Sequence, residues 1–219
     1  MDVECRFCGG KCNKNGCQAN GIQRYKCKVC KKKQQLNYNY NACQKDVDQQ
    51  IILFTKEGLG IRSTARVLKI STTTLIKRIL LISENCTRPI LSLGKIYEVD
   101  EMRSYIKSKD KLIWIVYALE RESGRVVSFN VGSRTNKTLN VVLTTLKLSQ
   151  PKAIYTDKLK HYKYLISSGI HKTKQFGTNR IERKNLSMRT HLKRLNRKTI
   201  CFSKSKKVLT AILQIYFWL

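Results

Sequence analysis

Along the 219 residues the spacing of apolar side chains changes character twice. Up to about residue 45 there is no period at all. Gly, Asn, Lys and Cys dominate there and aliphatic residues are sparse, so side chains alone cannot build a core. From residue 46 a helical period begins: Val47, Ile51 and Phe54 recur at spacings of four and three, and Gly58-Leu59-Gly60 ends the run. A second short helix is expected over residues 61–68. Ser71 is a good N-cap for a third helix carrying Leu75, Ile76, Ile79 and Leu80. Residues 83–94, with Pro89, lose all periodicity and are expected to be a linker.

Beyond the linker the pattern becomes that of an α/β domain. Strands are expected over 95–99, 112–119 and 125–131, with Glu122-Ser123-Gly124-Arg125 as the turn between the last two. Leu139, Val142, Leu143 and Leu146 form a helical stripe. A short buried strand is expected over 153–156. A helix follows from near Asn179, with Ile181, Met188, Leu192 and Leu195 on one side. Residues 208–219 are almost wholly apolar and predict a core or dimer-forming helix. The resulting organisation is a small N-terminal segment (1–45), an all-α domain (46–82), a linker (83–94) and an α/β domain (95–219).

The cysteines explain how the first segment can fold. Seven of the nine lie in the first 43 residues. Cys5-x-x-Cys8 and Cys27-x-x-Cys30 are two knuckles 18 residues apart, the pattern of a zinc ribbon with four cysteine ligands. Cys12 and Cys17 also lie close enough in sequence to replace Cys8. Metal binding would supply folding free energy that the segment otherwise lacks. Cysteines used this way suit a reducing compartment, and the acidic Met1-Asp2-Val3-Glu4 start has no signal-peptide character. No apolar run reaches the ~18 residues of a membrane span. A cytoplasmic location without membrane association is therefore expected.

Charge then names a partner. With 44 Lys+Arg against 14 Asp+Glu the formal net charge is +30, which calls for a polyanion, and nucleic acid is the expected one. The second and third helices of the all-α domain have the form of a helix-turn-helix. In such a unit Thr72, Thr73, Thr74, Lys77 and Arg78 would meet phosphates and base edges in the major groove. An ordinary three-helix packing element with a solvated polar face would leave the same pattern.

Acids are informative through their scarcity. After Glu122 only Asp157 and Glu182 remain, and from residue 158 onward 16 Lys+Arg accompany Glu182 alone. A surface suited to phosphate excludes carboxylates unless a divalent cation neutralises them. Asp100 and Asp157 each directly follow an expected strand, and Glu182 opens a helix with Asn185 and Arg189 on the same face. Such a set can hold two metals for an in-line phosphoryl displacement, with Asn185, Arg189 and neighbouring basic residues expected to contact the DNA backbone. Each acid also has a plainer role: Glu182 in a capping box with Asn179, Asp157 as a turn residue, and Asp100 interchangeable with Glu98 or Glu101.

Taken together, the ribbon over 5–30, the helix-turn-helix, Val99-Asp100-Glu101, Tyr155-Thr156-Asp157 and the run Asn179-Arg180-Ile181-Glu182-Arg183-Lys184-Asn185 make the chain resemble transposases of the insertion sequence 1 family. The continuation Arg189-x-x-x-x-Arg194-Leu195-x-Arg197-Lys198-Thr199 is the most specific piece and adds Arg194, Arg197 and Lys198 to the expected DNA contacts. The resemblance implies an RNase H-like mixed-sheet domain with a DDE triad of Asp100, Asp157 and Glu182, and Mg²⁺ or Mn²⁺ as the catalytic ion. It also implies action on terminal inverted repeats and target DNA by at least two protomers, a homodimer or larger. A zinc-ribbon and helix-turn-helix transcription regulator without catalysis is the competing expectation. It leaves the isolated Asp157 and Glu182 unexplained.

Overall fold

A computed structural model describes residues 2–19, 21–174 and 177–219. The chain forms two compact units, Met1–Val47 and Asp48–Leu219.

The first unit is a four-stranded antiparallel sheet of β1 (Val3–Glu4), β2 (Lys11–Cys17), β3 (Gln23–Cys27) and β4 (Lys33–Gln34), in that order. Its few buried side chains include Val3, Cys5, Cys27, Gln34 and Ala42. Gln34 fastens two ends of this small sheet, accepting from the Arg6 amide at 2.9 Å and donating to the Glu4 carbonyl at 2.7 Å. That is too little apolar burial to hold a sheet, as the composition of the segment implied.

The second unit opens with three helices, α1 (Val47–Lys56), α2 (Ile61–Val67) and α3 (Thr72–Glu84). Ser71 caps α3 as its sequence suggests, its hydroxyl accepting from the Thr74 amide at 3.0 Å. Ile51, Leu75 and Ile79 form the centre of the bundle.

A five-stranded sheet follows: β5 (Ile96–Ile106), β6 (Ser108–Glu120), β7 (Val126–Gly132), β8 (Ala153–Tyr155) and β9 (His171–Lys172). Its order is β7-β6-β5-β8-β9. The first three strands are an antiparallel meander, and β8 and β9 add in parallel to β5. The sheet is mixed, as the α/β pattern of the sequence led one to expect. Helices α4 (Asn136–Lys147) and α5 (Lys160–Leu165) belong to one face, where Tyr97, Val99, Val116, Ala118, Leu139, Leu143 and Ile154 form the core. Helices α6 (Asn179–His191) and α7 (Lys206–Trp218) belong to the other. There Phe217 of α7 stacks on Tyr117 at 5.8 Å and the Trp218 indole donates to the Val126 carbonyl at 2.9 Å. Because both faces are covered, the middle strands are buried almost without interruption. Helix α7 also packs along α3, so the three-helix bundle and the sheet share one unit.

Two boundaries differ from expectation. The strand expected to stop at residue 99 runs on to Ile106, and the next begins at Ser108 rather than at 112. The polar run Lys107-Ser108-Lys109-Asp110-Lys111 breaks the apolar alternation because it forms the hairpin's tip: Lys107 makes the turn at φ 68°, Ser108 pairs with Ile106, and the register shifts before Leu112 pairs with Tyr105. Asp100 is therefore inside a strand, not at its end.

Candidate functional site

The two cysteine knuckles are built alike. In the first, the Cys5 amide donates to the Gly10 carbonyl at 2.8 Å; in the second, the Cys27 amide donates to the Lys32 carbonyl at 2.9 Å. The residue after each knuckle, Gly9 at φ 70° and Lys31 at φ 60°, takes the left-handed conformation that closes the turn. The four sulfurs of Cys5, Cys8, Cys27 and Cys30 all lie within 4.8 Å of one another. Cys5 and Cys30 are 3.6 Å apart, Cys8 and Cys27 3.5 Å. No pair is a disulfide. The Val29 and Cys30 amides donate to Cys27 Sγ at 3.3 and 3.4 Å. Burial opposes ionisation of Cys27, yet the amides of Cys30 and Val29, with the neighbouring thiols, outweigh it and bring this thiol down to about 6. Such a cage suits a thiophilic cation. Cys12 is outside it, its thiol turned to the Gly10 carbonyl and pushed up to about 11 by burial and the sulfurs of Cys27 and Cys5. Cys17 bonds Gln23 instead.

On α3, Thr72, Thr73 and Lys77 are exposed, and Thr74 is partly covered. Arg78 is held back by an ion pair with Asp48 of α1 at 3.2 Å. The presented surface is thus three threonines and one lysine.

Three acids sit within four residues on β5, and the structure separates their roles. Glu98 is fully buried, paired with Arg121 at 3.2 Å, and accepts from the Ile181 amide at 2.9 Å. Glu101 lies on the opposite face, buried and paired with Arg134 at 3.0 Å. Asp100 has no ion pair among the described residues. Its carboxylate accepts from the Glu101 amide at 2.7 Å and from Asn185 Nδ2 at 2.6 Å. Burial raises it to about 6. The two hydrogen bonds oppose that rise, and the negative charges of Asp157 and Glu101 add to it. The parallel pair ends at Glu98↔Tyr155, and Asp157, two residues beyond, is near enough to Asp100 for its charge to act there. Asp157 is exposed, with one oxygen accepting from the Leu159 amide at 3.0 Å. An acid partly buried next to a second acid, both offering oxygens, fits a hard divalent cation.

Helix α6 lies over this pair. Asn185, expected to contact DNA, is instead buried between Asp100 and Tyr117, whose hydroxyl donates to Asn185 Oδ1 at 2.8 Å, so both ends of its amide are occupied within the fold. Glu182 stands one turn earlier on the same stripe, exposed, with its carboxylate accepting from the Thr178 hydroxyl at 2.9 Å. Among the described residues, only the four cysteines gather as a group of three or more at metal-binding distance, so Asp100, Asp157 and Glu182 do not all lie within 4.8 Å of one another. Arg189, one turn after Asn185, has a buried Nε without a hydrogen-bond partner and is close enough to Asp100 to feel its charge. Arg194 is tied to Ser203 Oγ at 3.4 Å, whereas Arg197 and Lys198 are exposed in a turn. The sequence did not single out Tyr117, Arg121 or Arg134. Each acts through a partner at least 23 residues away, which leaves no local signal.

Residues 95–218 match the family described as IS1 transposase, and residues 38–81 match the InsA C-terminal domain. Among curated relatives, the insertion element iso-IS1n protein InsB of Shigella dysenteriae is 37% identical over 116 residues, 53% of this chain and 88% of the relative. The insertion element IS1 protein InsB of Shigella flexneri is 37% identical over 108 residues, 49% of this chain and 82% of the relative. Among solved structures, the HTLV-2 integrase catalytic core domain in complex with magnesium is a distant likeness. It has a TM-score of 0.39 and 19% identity, over 57% of this chain and 86% of that one.

Proposed function

We propose, for a chain that belongs to the IS1 transposase family, that Asp100, Asp157 and Glu182 are its catalytic carboxylates and that it cuts and joins DNA at the ends of a mobile element. The observation that carries this reading is the state of the three acids on β5. Glu98 and Glu101 are already neutralised by Arg121 and Arg134, so Asp100 alone is left to share a cation with Asp157. Glu182, one turn before Asn185 on α6, would supply the third carboxylate.

Magnesium or manganese held by these oxygens would lower the cost of charge on both the attacking and the departing oxygen. The residues themselves orient. Asn185 fixes the Asp100 carboxylate, and Tyr117 fixes Asn185. In the first step water attacks the phosphorus at the element's end, the P–O3′ bond breaks, and a 3′-hydroxyl is freed. In the second, that hydroxyl attacks a target phosphodiester and displaces the target's own 3′-oxygen, with no net loss of phosphodiester bonds in that step. Arg189, Arg197 and Lys198 hold the backbone, and Arg194 supports the turn. Thr72, Thr73, Thr74 and Lys77 read the terminal inverted repeat, with Arg78 joining once Asp48 releases it. At least two protomers act together, so that both ends are cut in one assembly.

For the cysteine cage the ion is zinc. A tetrahedron with ~2.3 Å metal–sulfur bonds has edges of ~3.8 Å, close to the sulfur separations found here. No helix of the described residues is long and apolar enough to cross a membrane. Nothing in the fold favours the regulator expectation, which has no use for an unpaired Asp100 beside Asp157.

Asp157→Asn tests the assignment. It should bind a duplex carrying the element's terminal repeat about as well as the parent, while magnesium-dependent cleavage falls at least ~1,000-fold. Strand transfer persisting in this variant would remove Asp157 from the triad.

A further inference from the structure

After α6 the chain makes a loop over residues 196–205 whose apex is apolar although its flanks are basic. Ile200 is 88% exposed, and its neighbour Thr199 is 6% exposed. The loop is held from beneath. The Thr199 amide donates to the Asn196 carbonyl at 3.2 Å, and the Cys201 amide to Thr199 Oγ1 at 2.8 Å. Phe202 packs edge-on against Tyr105, and the buried Ser203 accepts the Lys107 amide from the tip of the β5–β6 hairpin at 2.9 Å. An isoleucine cannot be left out by slackness when both sides of its turn are pinned. The fold displays it.

Its surroundings say to what. Arg197, Lys198 and Lys204 on the loop and Lys107 on the hairpin are all exposed. A second copy of a chain carrying +30 would bring like charge to this surface, whereas a phosphate backbone brings the opposite sign. The loop spans the ground between α6 and that hairpin: Arg197 at its start is near enough to Arg189 of α6 for their charges to interact, while Ser203 at its end meets Lys107, seven residues along the chain from Asp100. We infer that Ile200 is a wedge that enters a base step of duplex DNA beside the scissile or target phosphate. The surrounding cations grip the flanking phosphates. Apolar wedges of this kind unstack a step and kink the duplex, which opens a phosphodiester to in-line attack. This rests on the transposase reading above and adds a residue to it that phosphate binding alone does not need.

The full chain is tested on two duplexes, one carrying the gene's flanking repeat and one an unrelated target, with 2-aminopurine placed at successive positions. Without added magnesium, the parent and Ile200→Leu should raise the fluorescence severalfold at one step, on the duplex into which the wedge inserts. Ile200→Ala should abolish that rise with unchanged melting temperature. With magnesium, Ile200→Ala should slow cleavage or joining of that duplex roughly 10- to 100-fold, and a mismatch at the same step should restore the rate. Fluorescence and rates within twofold of the parent overturn the wedge. So does a loss of oligomer mass in Ile200→Ala by light scattering, since that makes the residue a contact between protomers. A parent that unstacks the step but never cuts or joins would instead sink the catalytic reading and leave the wedge standing.

Discussion

The Cys-rich unit and the unit that follows it reach order by opposite means. In Met1–Val47 the buried apolar residues are few, and the structure converges on four sulfurs. In Asp48–Leu219 both faces of a five-stranded sheet are covered, and buried charges are retained only where an arginine meets them. Asp100 is the exception, an acid in the packed unit held by the Glu101 amide and Asn185 and, among the described residues, by no ion pair. The first unit has little apolar core, and the second has one largely buried carboxylate that no arginine pairs. The same chemical remedy, a divalent metal, would do structural work in one and catalytic work in the other.

The sharpest way to break this contrast is to take the metal away. Cys27→Ser with Cys30→Ser should leave residues 1–47 unfolded, because metal binding in such segments is worth roughly 10–16 kcal/mol and nothing else here replaces it. Amide exchange should become fast throughout that unit and stay slow in β5 and β6. Retained metal content, or a folded first unit without metal, would show that the small sheet has a stability of its own. Next in size is Leu143→Ala in α4, at the centre of the core on the Val99 face. It should cost about 2–5 kcal/mol of the second unit's stability by leaving a cavity, with the metal content of the first unit unchanged. A simultaneous loss of metal would mean that the two units fold together.

How much of this the sequence showed follows the same division. The cysteine knuckles, the Ser71 cap and the two isolated acids are local signals, since spacing and neighbours specify them. The prolongation of β5 past Asp100 was hidden because its own residues there, Glu101, Arg103 and Ser104, are polar, although their partners on β6, from Ile113 to Val116, are apolar. Sequence alone left Glu98, Asp100 and Glu101 nearly equivalent. What separates them is Arg121 and Arg134, each brought in across the sheet from another strand or loop. Asn185 lay on the right helical face, but its hydrogen bond to Asp100 spans 85 residues. Long-range pairing of polar groups has no period, and so no pattern announces it.

The smallest expected effect lies within the first unit, where two turns of the same shape are closed by different residues. Gly9 takes φ 70° without cost to a side chain, whereas Lys31 takes φ 60° with one. A left-handed residue bearing a Cβ is strained by roughly 1–2 kcal/mol, and glycine's larger unfolded freedom returns part of this, about 0.5–1 kcal/mol. Lys31→Gly should therefore tighten the metal site, and Gly9→Ala should loosen it by a similar amount. A Cβ at Gly9 would have nothing within 4 Å, so its effect would be backbone strain alone. Because folding and metal binding are one process in this unit, each change should move zinc affinity about two- to fivefold in opposite directions, read by competition with a chromophoric chelator. Equal shifts of the same sign would mean that Lys31 contributes through its ammonium contact with the Lys28 carbonyl at 2.7 Å rather than through its backbone.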